Sequence, residues 1–409
     1  MLSTIKKADI KIHSAQIDFS KECLKAINVD VYSDRVEGTL GFVKTYMPFG
    51  LGNDATQVKR FDDTLYMTSI DGYLYYNMGV LERFCDLKIA KNFILDYVDY
   101  NNQKCLIVVS SSNSIIRYGV ENLLLPIKSH SFAYAFGRIF YCYDNKVCFT
   151  KPYDYFGEPD GVINIDANFG NLMKVFLLYD DVFIVCNKAI LKVPRFSCNA
   201  DLKVFPVQEF VNATIQDAVY KIENDIYFMD NYDICKFNGD SIERFETCLS
   251  SGKYSYNYIN FGCSEGQINI PVKSLEDEVN LLYVYDTKTK RERLITYQGK
   301  IMSYICSCIT EDGRLSFIEN GVNADISYLS KNTNLSVDKL KTVYSVCGYV
   351  SAPTSITFTG DFGEKTVYFD KGYNEVYCNF KFYDFKMKIA SNASDYQIKG
   401  LTLKYSTGE

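Results

Sequence analysis

A phrase that returns along the chain limits what it can fold into. A turn is followed by a short apolar or aromatic run, then a second turn and another short apolar run. It reads Phe61-Asp-Asp-Thr-Leu-Tyr-Met, Phe136-Gly-Arg-Ile-Phe-Tyr, Tyr179-Asp-Asp-Val-Phe-Ile-Val and Ile222-Glu-Asn-Asp-Ile-Tyr-Phe. These copies align on Leu65, Ile139, Val182 and Ile226, and weaker copies fit at Leu106, Ile268 and Leu315. Successive anchors are then 41, 33, 43, 44, 42 and 47 residues apart. A repeat of roughly 40–45 residues made of short strands is the signature of propeller blades. The expected fold class is all-β: a β-propeller of six or seven irregular blades with a small C-terminal β-sandwich-like domain.

Composition agrees with strands. Tyr (34) and Phe (28) supply almost all of the aromatic content, and both favour half-buried pleated surfaces. Tyrosine also joins apolar area to a hydroxyl, which suits seams between blades and between subunits. The chain, at 409 residues, is too long for one ordinary core. The fourteen cysteines sit mostly inside apolar runs and show no disulfide framework, so they read as small buried hydrophobes made in a reducing cytoplasm. No signal peptide is expected at the N-terminus, and no apolar run approaches the roughly 18 residues of a membrane helix.

Three segments are expected. Residues 1–54 form a lead-in containing a strand near Ile10, a helical turn over Ser20-Lys-Glu-Cys-Leu-Lys-Ala-Ile and a turn at Gly50-Leu-Gly. Residues 55–335 hold the seven phrases, with hairpin turns at Asp71-Gly72, Asn145-Lys146 and Asp312-Gly313. Residues 340–409 contain six alternating strands, around Val343, Ser355, Lys365, Glu375, Phe385 and Ile398. In Phe385-Lys-Met-Lys-Ile the lysines share one face and the apolar residues the other.

The chemistry-bearing residues form no catalytic pattern. The two histidines, His13 and His130, lie far apart in sequence and have no surrounding signature. Cys306 and Cys308 share one strand face, but no second pair at zinc spacing follows. Asp62/Asp63, Asp180/Asp181 and Asp225 occupy the same turn position of the repeat, where aspartate stabilises tight turns. The alternative for them is a carboxylate pair at the mouth of a propeller glycosidase. Asp230–Asp233 and Asp160–Asp166 are oxygen-rich without the regular ligand alternation of a calcium loop. The reading is not an enzyme: no catalytic residue, no cofactor and no metal. One connection stands out, Phe149-Thr-Lys-Pro-Tyr-Asp-Tyr-Phe-Gly-Glu-Pro-Asp-Gly, with two of the eight prolines and the aromatics Tyr153, Tyr155 and Phe156. It is either a rigid crossing between blades or an aromatic contact surface for a neighbouring subunit.

Several phrases together resemble a known group. Ala26-Ile-Asn-Val-Asp-Val-Tyr followed by Gly50-Leu-Gly is similar to the opening of phage virion propellers. Residues 139–156 resemble their "strand, turn, strand, then x-Pro-x-Asp-x-Phe" phrase, and residues 175–193 resemble the blade that follows it. Ile398-Lys-Gly-Leu-Thr-Leu-Lys-Tyr resembles the closing strand of their terminal β-domain. The group is the tail nozzle, or packaged-DNA stabilisation, proteins of short-tailed double-stranded-DNA phages.

The resemblance implies a structural virion protein, assembled in the host cytoplasm and placed in the virion tail. Six copies would form a cyclic ring below the portal and adaptor, extend the DNA channel and retain the genome. Partners would be further copies, the portal–adaptor and tail proteins, and duplex DNA in non-specific passage. The net charge of −6 suits a channel along which DNA slides, and no long basic run points to sequence-specific binding. The alternative is a propeller binding module, a receptor- or glycan-binding tail protein.

Overall fold

The computed structural model describes residues 93–209 and 337–391 without interruption. It describes 55–90, 211–296 and 396–407 with short gaps, and the remaining N-terminal and 303–335 stretches as separate strands and short segments. The expected turns at Gly50-Leu-Gly and Asp312-Gly313 lie outside the described residues, as does Cys306. Two compact units result, one of residues 44–278 and 299–318, the other of residues 1–43, 279–298 and 319–409.

The first unit is a β-propeller. Five four-stranded antiparallel sheets follow one another, each with its strands in chain order. The first holds Ala55–Phe61, Thr64–Ser69, Tyr73–Asn77 and Leu81–Lys88. The second holds Phe93–Tyr100, Gln103–Ser110, Ser114–Tyr118 and Glu121–Leu125. The third holds Phe132–Ala135, Arg138–Tyr143, Lys146–Phe149 and Gly161–Asn164. The fourth holds Leu172–Leu178, Asp181–Cys186, Ala189–Val193 and Phe205–Glu209. The fifth holds Tyr220–Ile222, Asp225–Asp230, Asp233–Phe237 and Ile242–Phe245.

Next, Gln267–Ser274 pairs with two short strands, Tyr254–Tyr256 and Gly262–Ser264. A last sheet of Ser303–Tyr304, Cys308–Ile309 and Leu315–Val322 is completed by Gly41–Tyr46. The described residues thus give seven strand groups. The first strands of the second, third and fourth sheets lie side by side, and Ser303–Tyr304 of the last sheet lies beside Ala55–Phe61 of the first, which closes the ring.

The recurring phrase is the hairpin between the first and second strands of a sheet. Phe61 pairs with Thr64, Tyr100 with Gln103, Ala135 with Arg138, Leu178 with Asp181 and Ile222 with Asp225, leaving two-residue loops. Such loops need left-handed backbone to match the strand twist. They have it at Asp62, at Asn101 and Asn102, at Phe136 and Gly137, at Tyr179 and at Glu223. Ile268 also follows such a turn, with Ser264 opposite Gln267.

Two anchors are corrected. The residue equivalent to Ile139 in the second sheet is Lys104, two before Leu106, and Leu315 opens a third strand rather than a second. The hairpin expected at Asn145-Lys146 turns one residue earlier, on Asp144-Asn145, because Tyr143 pairs with Lys146.

Both faces of each inner sheet are buried. In the second strand of the third sheet, Ile139 and Tyr141 pack with Val98, Ile107 and Ile116 of the second sheet. The alternate residues Phe140 and Cys142 pack with Val182, Ile184 and Cys186 of the fourth. Phe183 and Val185 then face Ile226, Phe228 and Phe237 of the fifth. Strand period two therefore supplies two seams from one run, which is why these strands read as unbroken apolar phrases. Burial pushes the Cys186 and Cys235 thiols up to about 12, so they stay protonated.

The second unit contains a β-sandwich. All six expected C-terminal strands are present: Lys341–Val350, Thr354–Gly360, Gly363–Phe369, Gly372–Phe382, Phe385–Ser391 and Gln397–Thr407. They divide between two sheets whose inner faces meet in one core. One face contributes Val343, Val346, Leu401 and Leu403, the other Ile356, Phe358, Met387 and Ile389. Phe385, Met387 and Ile389 point inward and Lys386 and Lys388 outward, as period two requires.

The lead-in differs from expectation. His13–Gln16, Val29–Val31 and Arg35–Gly38 join the sheet of Gln397–Thr407. Cys23–Ile27, expected as a helical turn, is a strand held by Ile326–Ser330 on one side and by Arg291–Thr296 on the other. Pairing outweighs a weak local preference. The segments expected at 1–54, 55–335 and 340–409 are therefore interwoven, since the second unit takes residues from both ends and from 279–298.

Candidate functional site

The aromatic connection between the third and fourth strands of the third sheet is a packed plug. Arg138 reaches from the second strand, donating to the Thr150 carbonyl at 2.8 Å and pairing with Asp160. Its guanidinium also lies over the Phe149 and Phe196 rings, at 5.5 and 5.2 Å. The Tyr153 amide donates to the Gly137 carbonyl at 2.7 Å, and its ring covers Gly137, where a Cβ would meet it at 2.8 Å.

Tyr155 is fully buried, and its hydroxyl donates to the Asp99 carbonyl at 2.6 Å. Burial, reinforced by the Tyr134 hydroxyl, holds its phenol well above the usual range. Phe156 meets Tyr100 edge-on at 5.5 Å. Of the three expected contact residues, Tyr155 is corrected: it fastens the third sheet to the second and is out of reach of a neighbouring subunit. Tyr153 and Phe156 remain at the surface, 65% and 38% exposed.

Most of the carboxylates singled out in the sequence are held by their own or a neighbouring sheet, and Asp180 stands exposed at its hairpin. Asp62 accepts the Tyr97 hydroxyl at 2.6 Å, a bond that pushes that phenol up to about 12. Asp181 pairs with Lys192 at 2.6 Å and Asp225 with Lys236 at 3.0 Å, the same cross-strand pair in consecutive sheets. Arg244 engages both Asp230 and Asp233. Asp160 is taken by Arg138, and Asp166 caps the short turn Ala167–Phe169 through the Asn168 amide. Each oxygen-rich segment is thus occupied by an internal donor. Among the described residues no three His, Cys, Asp or Glu side chains gather as a metal site. His130 Nε2 lies 3.1 Å from the Met173 carbonyl, and His13 lies in the strand His13–Gln16.

The first strands line a cavity of about 620 Å³. Its charged lining is Lys59, Asp96, Asp99, Lys104, Lys174 and Lys221, and Tyr97, Tyr134 and Tyr220 stand among them. Burial pushes the Asp96 carboxyl up, while the Tyr97 amide, at 2.8 Å, and Lys221 and Lys104 act against that. Burial likewise pulls Lys221 down, offset by Asp96. The Lys221 ammonium donates to the Leu177 carbonyl and that of Lys174 to the Val219 carbonyl. Asp99 accepts from the Tyr134 hydroxyl at 3.3 Å. The sequence reading missed this lining. Its one signal was Asp96 and Asp99 inside an otherwise apolar strand phrase, Phe93–Tyr100.

No family model and no curated protein matches the chain. Among solved structures, the extracellular domain of a putative hybrid two-component system from B. thetaiotaomicron is similar, at 8% identity and TM-score 0.45, over 89% of this chain and 60% of that one. This chain therefore spans about 60% of the length of that protein. The AfRom2 CNH domain is similar at 11% identity and TM-score 0.42, over 69% of this chain and 98% of that one. The dihydro-heme d1 dehydrogenase NirN is similar at 11% identity and TM-score 0.40, over 87% and 80%. None of the three is described as a tail protein, and no activity is carried over from them.

Proposed function

We propose that this chain is a structural, ring-forming component of a phage tail, of the nozzle type that its sequence resembles. One observation carries the reading: apart from Asp180, which stands exposed at its hairpin, the described carboxylates singled out above as catalytic or calcium candidates are each engaged by a donor of this chain. Of the two aspartates in the cavity, Asp96 accepts the Tyr97 amide and Asp99 the Tyr134 hydroxyl. A glycosidase needs two carboxyl groups converging on one bond. Asp96 and Asp99 line the cavity among Lys59, Lys104, Lys174 and Lys221, and each already accepts a hydrogen bond.

A rigid propeller with aromatic residues turned outward suits a wedge in a closed assembly. Such a ring, of about six copies on the resemblance, would seat on the portal–adaptor, extend the channel and hold the packaged genome. The acidic chain would let duplex DNA pass without sequence preference. The test is to mix the purified protein with a portal–adaptor complex and image the particles. A ring seated on the adaptor with an open bore is expected. A protein that ignores the adaptor while binding sugars on a glycan array would favour the receptor-binding alternative.

A further inference from the structure

The outer face of one sandwich sheet carries a pattern of its own. Along Gly372–Phe382, Cys378, Phe380 and Phe382 face the core, and Tyr373, Glu375, Tyr377, Asn379 and Lys381 face out. Tyr373 and Tyr377 are 70% and 80% exposed. Across the ladder, Tyr349 stands opposite Tyr373, with Lys399 beside it on the next strand. Ser345 stands opposite Tyr377, with Lys404 beside it. Glu375 ties these rows, accepting from Ser345 at 3.0 Å and from Lys404 at 2.8 Å. The outward charges are Lys381, Lys399 and Lys404 against Glu375, so the tyrosine face is basic.

The propeller unit has the opposite charge. It holds 24 Lys and Arg against 32 Asp and Glu, whereas the sandwich unit holds 20 against 18. Part of that acid is exposed at the hairpins joining first and second strands, at Asp62, Asp180 and Glu223. These turns occupy the same position in their sheets and so share one side of the ring. Tyr179, 61% exposed, stands beside Asp180.

We propose that the tyrosine face of one copy's sandwich docks on the acidic hairpin rim of a second copy's propeller unit. Aromatic area supplies the contact, and opposite charge supplies orientation and rate. Because the two surfaces differ, the contact is head-to-tail, and its repetition closes a ring when the rotation allows. This inference rests on the ring-forming reading above and names the surfaces that would build it.

The test is a charge swap followed by sedimentation velocity at low and at high salt. Lys381→Glu with Lys399→Glu, and separately Asp180→Lys with Glu223→Lys, are each expected to weaken association at least tenfold. Combining all four should restore it, and Tyr373→Ser with Tyr377→Ser should abolish it at any salt. An unchanged melting temperature certifies that each variant is folded. Variants that assemble as the natural chain does would overturn the docking surface and leave the ring-forming reading intact. A natural chain that stays monomeric at all concentrations, with and without the adaptor, would overturn both. Capture of immobilised glycans by the tyrosine face without self-association would assign the face to sugar and overturn the docking.

Discussion

Tyr155 carries its ring into the seam between the second and third sheets, and its hydroxyl satisfies the Asp99 carbonyl there. Tyr155→Phe keeps the ring but removes the hydroxyl that donates to that carbonyl, so it should cost about 1–3 kcal/mol in urea unfolding. Tyr153→Ala, at an exposed ring, should stay within about 0.5 kcal/mol. An equal cost at the two positions would contradict the plug. Gly137 supplies a second test. Its φ of 73° is left-handed, and the Tyr153 ring occupies the space a Cβ would need. Gly137→Ala should therefore destabilise by about 1–3 kcal/mol, from backbone strain and displacement of the ring together. The sequence marked this connection as unusual, because three aromatics and two prolines in one loop exceed what a solvated turn needs. It did not separate Tyr155 from Tyr153 and Phe156, because which side of a loop meets a seam depends on the facing sheet.

At the scale of elements, the hairpin and the seam explain the repeat. Two-residue turns, then a second strand buried on both faces, give the turn-apolar rhythm visible in the sequence. Ile184, fully buried between the third and fourth sheets, should cost about 2–5 kcal/mol when cut to alanine. The Asp181–Lys192 pair is partly exposed, and Asp181→Asn should cost less than about 1 kcal/mol. Asp361 gives a pH signature in the sandwich. It accepts the amides of Asp384 and Tyr383, which hold its carboxyl below the usual range. A depressed carboxyl contributes stability above its unfolded value and loses that contribution as pH falls through its native value. Asp361→Asn should therefore be less stable than the natural chain at pH 7, and the difference should shrink in acid unfolding curves. Alternation made the six C-terminal strands legible with their faces. Cys23–Ile27 was not legible as a strand, because its short run has helical residues and gains its pairing from distant segments.

The whole molecule closes where its chain separates most. Gly41–Tyr46 completes the sheet of Ser303–Tyr304, Cys308–Ile309 and Leu315–Val322, so the expected propeller of residues 55–335 lacks a strand. A fragment of residues 55–335 should unfold at lower urea than one of residues 41–335, because the first leaves a sheet edge unpaired. Periodicity announces how many similar strands a chain holds, but carries no record of which distant strand completes a sheet. The same limit explains why the two ends of the chain share one unit. At this scale the central claim is that rigid propeller units assemble in a closed ring. The most direct measurement is the solution mass of the purified chain, alone and with a portal–adaptor complex. The account predicts a discrete assembly of about six copies, formed alone or on the adaptor. Monomers at every concentration that also leave the adaptor unbound would contradict it.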